Sequence, residues 1–100
     1  MEEILINIVN QMEKKLIFVD EYHIIRYLNQ SAKEHYLKKG YKNLIGTSIF
    51  KFHSEETKEK IKMGVRVLKS NKTLVKVTVG QTDIFPVWIK ERFVGYYEIF

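Results

Sequence analysis

Between residues 24 and 37 the chain reads IIRYLNQSAKEHYL, and its pattern changes at Asn29. Before Asn29 stand β-branched and aromatic residues that favour a strand; after it Ala32, Tyr36 and Leu37 supply the inward face of a helix. Asparagine suits the junction because its side-chain oxygen accepts an N–H one turn on, worth about 1 kcal/mol relative to alanine. A strand that hands over to a helix within one residue leaves little freedom in how the neighbouring segments are arranged.

Those segments read in order. Residues 2 to 12, EEILINIVNQM, place Ile4, Leu5, Ile8, Val9 and Met12 on one helical stripe, with Glu2 and Glu3 at the end where the helix dipole favours negative charge. LIFV is a short strand, Asp20-Glu21-Tyr22 a turn, and HIIRYL a second strand paired with it as a hairpin. Gly40 stops the helix that Asn29 starts, and the connector NLIGTSIFKF is expected to bury Leu44, Ile45, Ile49 and Phe50. The longest helix follows, with Ser54 as N-cap, Glu55 and Glu56 in the first turn, and Thr57, Ile61, Val65 and Leu68 on one face. Gly64 lies beside that face and predicts close packing against another element, since glycine inside a helix costs about 1 kcal/mol relative to alanine. TLVKVTV, IFPVWI and FVGYYEIF then read as three strands, with Pro86 marking an edge or a bulge and Lys90-Glu91-Arg92 a tight turn. The class is α+β.

Composition narrows the chemistry. One hundred residues make one domain, and no apolar run is long enough to cross a bilayer. With Glu2 and Glu3 in place of a basic leader, a cytoplasmic location is expected. There is no cysteine, and His23, His35 and His53 show no zinc-type spacing, so neither a thiolate nor a metal site is expected. The net charge of +5 admits nucleic acid, and Lys38, Lys39 and Lys42 with Tyr36 and Tyr41 form one basic-aromatic cluster. The remaining lysines are spread along the chain and no RNA-binding signature accompanies them, so a generally basic surface is the expectation and nucleic-acid binding the alternative. Catalysis is not expected: Asp20 and Asp83 fall at turns, Glu98 is assigned to the outer or edge side of its strand, and no nucleophile triad or phosphate-binding loop occurs.

The stretch FVDEYHIIRYLNQSAKEHY…GYKNLIGTSIF resembles a PAS domain. Asp20, Ile25, Tyr27, Asn29, Ala32, Gly40, Leu44, Ile45, Gly46 and Ser48 fill the places of that family's pattern, and VGYYEIF is similar to its last strand. The resemblance implies a five-stranded antiparallel sheet with helices on one face, residues 1–12 being an amphipathic flanking helix and 13–100 the PAS domain. It further implies a signal-transduction role: binding a small ligand or mediating homodimer contacts, and relaying a conformational change to a kinase or transcription-regulator effector. Flavin–cysteine photochemistry is excluded for want of a cysteine; the cofactor is otherwise unassigned. A haem-binding gas or redox sensor remains an alternative through His53 or, more weakly, Met63. Candidate ligand-pocket residues are Tyr36, Phe50, Phe52, His53, Ile61, Val65, Leu68, Val77, Trp88 and Tyr97. Ile4, Leu5, Ile8, Val9 and Met12 are the candidate dimer interface.

Overall fold

The computed structural model describes residues 2–100. Helix α1 (Glu2–Gln11) leads into strands β1 (Leu16–Asp20) and β2 (Ile25–Leu28), then helix α2 (Gln30–Lys38). A 3₁₀ turn (Ile49–Phe52) precedes the long helix α3 (Glu55–Ser70), and β3 (Val77–Val79), β4 (Thr82–Ile89) and β5 (Arg92–Ile99) finish the chain. The five strands form one sheet in the order β2-β1-β5-β4-β3, with every neighbouring pair antiparallel. The α+β architecture expected from the sequence is present. Its centre joins the two ends of the chain: β1 pairs β5 from Leu16↔Ile99 to Asp20↔Gly95.

Side chains alternate across the sheet. Ile17, Val19, Ile84, Tyr96 and Glu98 point to the helical side and are buried. Phe85 and Tyr97 lie on the opposite side, stacked at 4.8 Å with their planes 11° apart. Helix α3 covers the inner face through Ile61, Val65 and Leu68, each contributing about 1.5–3 kcal/mol by leaving water. Its N-terminus is capped as expected, Ser54 Oγ accepting from the Thr57 N–H at 3.2 Å. The close approach predicted at Gly64 is against β3, where an added Cβ would stand 3.0 Å from Val77 Cγ2.

Asn29 is the predicted cap and something larger. Its Oδ1 accepts from Ala32 N–H and from Leu16 N–H, both at 3.0 Å. Its Nδ2 donates to the carbonyls of Val9 at 3.0 Å and Lys14 at 2.9 Å. One fully buried amide thereby ties α1, β1 and α2 together.

Some expectations change. The first of the last three strands covers only Val77–Val79, and Val75 is exposed, because pairing with β4 stops at Val77↔Ile84. Ile45 and Leu37 are exposed too, while Leu44 and Ile49 are buried. Gly46, at φ +93°, bends the connector so that Thr47 O accepts from Ile25 N–H, and the bend turns Ile45 outward. Pro86 sits where β4 has run past β3 and one residue before a bulge at Val87/Trp88, so no ladder needs its missing N–H on that edge. The assignment of Glu98 to the outer or edge side is overturned: it is 3% exposed and lies on the inner face between Ile17 and Ile84. The run FVGYYEIF is apolar on both sides, so its periodicity could not say which way the one acid points.

Candidate functional site

The inner face is closed by α3 at one end and left open at the other. There a cavity of about 340 Å³ lies between α2, the 3₁₀ turn and the ends of β4 and β5. His35, Tyr36 and Lys39 of α2 line it, with Tyr41, Phe52, His53, Thr82, Glu98 and Phe100.

Local structure explains how these residues converge. The Asn29 cap starts α2 so that Ala32 and then Tyr36, one turn later, face inward. Gly40, at φ +88°, ends the helix in a left-handed turn in which Tyr41 N–H reaches back to the Tyr36 carbonyl at 3.0 Å. That reversal returns the Tyr41 ring to 6.4 Å from Tyr36 and 4.8 Å from Phe52. Ser48 Oγ caps the 3₁₀ turn at Phe50 N–H and sets Phe52 at 5.2 Å from Tyr36. His35 meets Tyr36 edge-on at 5.0 Å and Phe100 at 5.7 Å, completing an aromatic lining.

Two polar atoms on this lining have no partner. Glu98 Oε2 and His53 Nε2 are buried and make no hydrogen bond. Isoleucines flank Glu98 on both neighbouring strands, so the wall behind it offers no donor. Burial alone pushes the Glu98 carboxyl up from 4.5 to about 7. Burial, with Glu98 nearby, raises the Tyr36 phenol to about 12. Burial lowers His53; for His35 burial again leads, followed by the charges of Lys39, Lys15 and Lys38. An unsatisfied buried polar group costs about 1–3 kcal/mol, so a bound molecule presenting donors here would recover energy that the chain alone does not. The adjoining depression of about 260 Å³, lined by Leu28, Lys33, Leu37, Tyr41, Lys42, Asn43 and Leu44, contains no such atom.

Of the residues singled out from sequence, Tyr36, Phe52 and His53 come together at the cavity. Ile61, Val65 and Leu68 pack in the closed core under α3. Phe50 packs against His23 with ring centroids 4.6 Å apart and planes tilted by 43°, Lys58 and Lys62 lie above it, and Val77 abuts Gly64. Trp88 packs edge-on against Phe93 at 5.4 Å near the end of α3, and Tyr97 is on the far side of the sheet. Thr82 and Phe100 carry no signal in the sequence because contributions from strand ends have no helical period, and Glu98 is placed by its pattern on the wrong side of its strand. Lys39 and Tyr41 stand out in the sequence only within a basic-aromatic cluster, and His35 only as a histidine without zinc-type spacing. A second polar pair, His23 Nδ1 with the fully buried Tyr96 hydroxyl at 2.8 Å, likewise joins residues far apart in sequence.

Haem does not fit this geometry. His53 Nε2 is free, but the cavity is at the low end of small-ligand volumes and has a carboxylate in its wall, so the residues present do not fit the macrocycle. The α1 stripe is solvent-facing: Ile4, Leu5 and Ile8 are exposed, Val9 and Met12 half-buried.

No family model matches the chain, and no curated protein does. Solved structures do. The C-terminal domain of a protein from Streptococcus mutans has a TM-score of 0.72 at 20% identity, over 98% of this chain and 81% of that one. The PAS domain of a protein from Colwellia psychrerythraea has a TM-score of 0.74 at 16% identity, over 98% of this chain and 92% of that one. The chain has the PAS fold.

Proposed function

We propose that this PAS-fold domain is a non-catalytic sensory module that holds a small molecule in the cavity beneath α2. The reading rests on one observation: Glu98 Oε2 and His53 Nε2, both buried and both unpartnered, line the same aromatic-walled space. A sensor must also report occupancy, and the cavity wall has a short connection to α1. Phe100 and Lys15 exchange backbone hydrogen bonds at 3.0 Å in each direction. Asn29, at the head of the helix that carries Tyr36, holds the carbonyls of Val9 and Lys14. A ligand that moves α2 or Phe100 would bias how α1 is seated, a population shift passed to an effector such as a kinase or transcription regulator.

Chemical-shift mapping with a set of small fragments tests this. Binding is expected to move the backbone signals of Tyr36, Phe52, His53, Glu98 and Phe100 together. A fragment set that moves none of them, with no added mass on the purified protein in native mass spectrometry, would overturn the reading.

A second reading, homodimerisation through α1, has its own support. No residue of α1 is buried, and Ile4, Leu5, Ile6 and Ile8 are 46–58% exposed. A ten-residue helix with that surface is marginal in water unless something covers it.

A further inference from the structure

The chemistry of the cavity narrows what it would hold, on the reading that it is a ligand site. Three features select the charge and shape of the occupant. The first is a carboxylate with no internal counter-charge: none of the ion pairs among the described residues involves Glu98, although Lys39 lines the same cavity. The second is the set of rings around it, with Tyr36, Tyr41 and Phe52 mutually 4.8–6.4 Å apart. Ring faces carry negative quadrupole potential and attract a cation placed over them. The third is His53 Nε2, an unpartnered imidazole nitrogen that accepts a hydrogen bond when the proton is on Nδ1. An anion would meet Glu98 across a desolvated space, and an apolar molecule would leave both polar atoms unsatisfied.

We propose that the cavity binds a small organic ammonium ion, its charge on the Glu98 carboxylate, its remaining N–H toward His53, and its apolar body against the Tyr36, Tyr41 and Phe52 rings. The volume limits the body to a few carbons or a single ring. Lys39 at the mouth is a like charge, so it opposes entry and does not assist it.

The probes are benzylammonium, benzyl alcohol and benzoate, which share a ring and differ in charge, titrated into the wild-type chain with calorimetry and chemical-shift mapping. Benzylammonium is expected to bind at least about tenfold more tightly than the other two, as a charge-assisted bond allows. Its shifts should centre on Glu98 and Tyr36. Glu98→Gln keeps the shape and is expected to remove that preference, while Lys39→Met should bind benzylammonium at least as well as wild type.

The pH profile supplies an independent readout. A carboxyl titrating at about 7 must ionise to receive the cation, so wild-type affinity should fall about tenfold from pH 8 to pH 6. His35 and His53 gain charge in the same direction as pH falls, and Lys39 stays charged throughout, so their share is what remains in Glu98→Gln. The expected result is a clearly steeper profile in wild type than in the variant. Benzyl alcohol bound as tightly as benzylammonium, with shifts at the cavity, would overturn the ammonium assignment and leave the ligand-site reading standing. Equal affinity of wild type and Glu98→Gln for benzylammonium would overturn it also. Binding by none of the three probes would do the same, the fragment set deciding the broader reading separately.

Discussion

If Asn29 were only a helix cap, aspartate would replace it at little cost, since the two are equally good N-caps. The amide, however, gives both of its donors to the Val9 and Lys14 carbonyls while its oxygen accepts two N–H bonds. An aspartate in its place would keep the acceptor, lose the donors and put a charge where the side chain is fully buried. Asn29→Asp is therefore expected to cost about 3 kcal/mol or more near neutral pH; urea unfolding that finds it within about 0.5 kcal/mol of wild type would reduce Asn29 to a cap. Glu98 makes a prediction of opposite sign. Its folded carboxyl is raised from 4.5 to about 7, so between those values the unfolded chain ionises while the folded chain stays protonated. Stability conferred by this group is whole below pH 4.5 and is lost as pH rises to about 7, at about 1.4 kcal/mol per pH unit, or about 3 kcal/mol in all. The histidines work the other way: His23, His35 and His53 are all held below 6.5 by burial, so their contribution is lost as pH falls below 6.5. Comparing wild type with Glu98→Gln cancels the histidines. The glutamine variant should match wild type near pH 4 and exceed it by about 3 kcal/mol at pH 8, and a constant difference across that range would refute the buried-carboxyl account.

At the level of elements, the sheet depends on how closely β1 and β5 approach. Gly95 faces Asp20 in that pairing, and a Cβ on it would collide with the Val19 carbonyl oxygen and stand 2.9 Å from Asp20 Cα and 3.1 Å from Phe18 Cε1. The β1 backbone, paired on both sides, cannot step aside as a flexible side chain does, so Gly95→Ala is expected to cost about 3 kcal/mol or to prevent folding. Gly80 is the control: both glycines have a positive φ, +61° at Gly80 and +155° at Gly95, but Gly80 has nothing within 4 Å of its would-be Cβ. Gly80→Ala should then cost only the left-handed backbone, about 1–2 kcal/mol. A melt in which the two variants fall equally would remove the close approach as the reason for glycine at 95. Elements with a strong period or a clear cap are legible in the sequence: α3 from Ser54, Ile61, Val65 and Leu68, α2 from Asn29 to Gly40, and the β1–β2 hairpin. What escaped was decided by tertiary pairing. Val75 has the alternation of a strand residue, but the β3–β4 pairing ends at Val77↔Ile84, and Glu98 follows two tyrosines on a strand apolar on both sides.

Across the whole molecule, the sheet is sewn from both ends of the sequence, and the candidate site inherits that non-locality. Tyr36 is legible because it lies on the inward face of α2, and Phe52 and His53 because they lead into α3, whereas Glu98, Thr82 and Phe100 reach the cavity only once β5 lies between β1 and β4. The same topology leaves α1 attached mainly by its far end, where Asn10 Oδ1 accepts from the Tyr27 hydroxyl and from Gln30 N–H, both at 3.1 Å. The rest of the helix is uncovered, with Ile4, Leu5, Ile6 and Ile8 all exposed. One pair of measurements decides whether α1 is an interface between copies. If α1 meets a second copy, sedimentation velocity should find a dimer, and Leu5→Glu should convert it to monomer. A dilute sample, already dissociated, should show little change in unfolding free energy, because Leu5 is exposed within one chain. If instead the substitution leaves the oligomeric state unchanged and lowers stability by about 2 kcal/mol, as loss of a buried leucine would, then Leu5 packs within its own chain and the α1 interface falls.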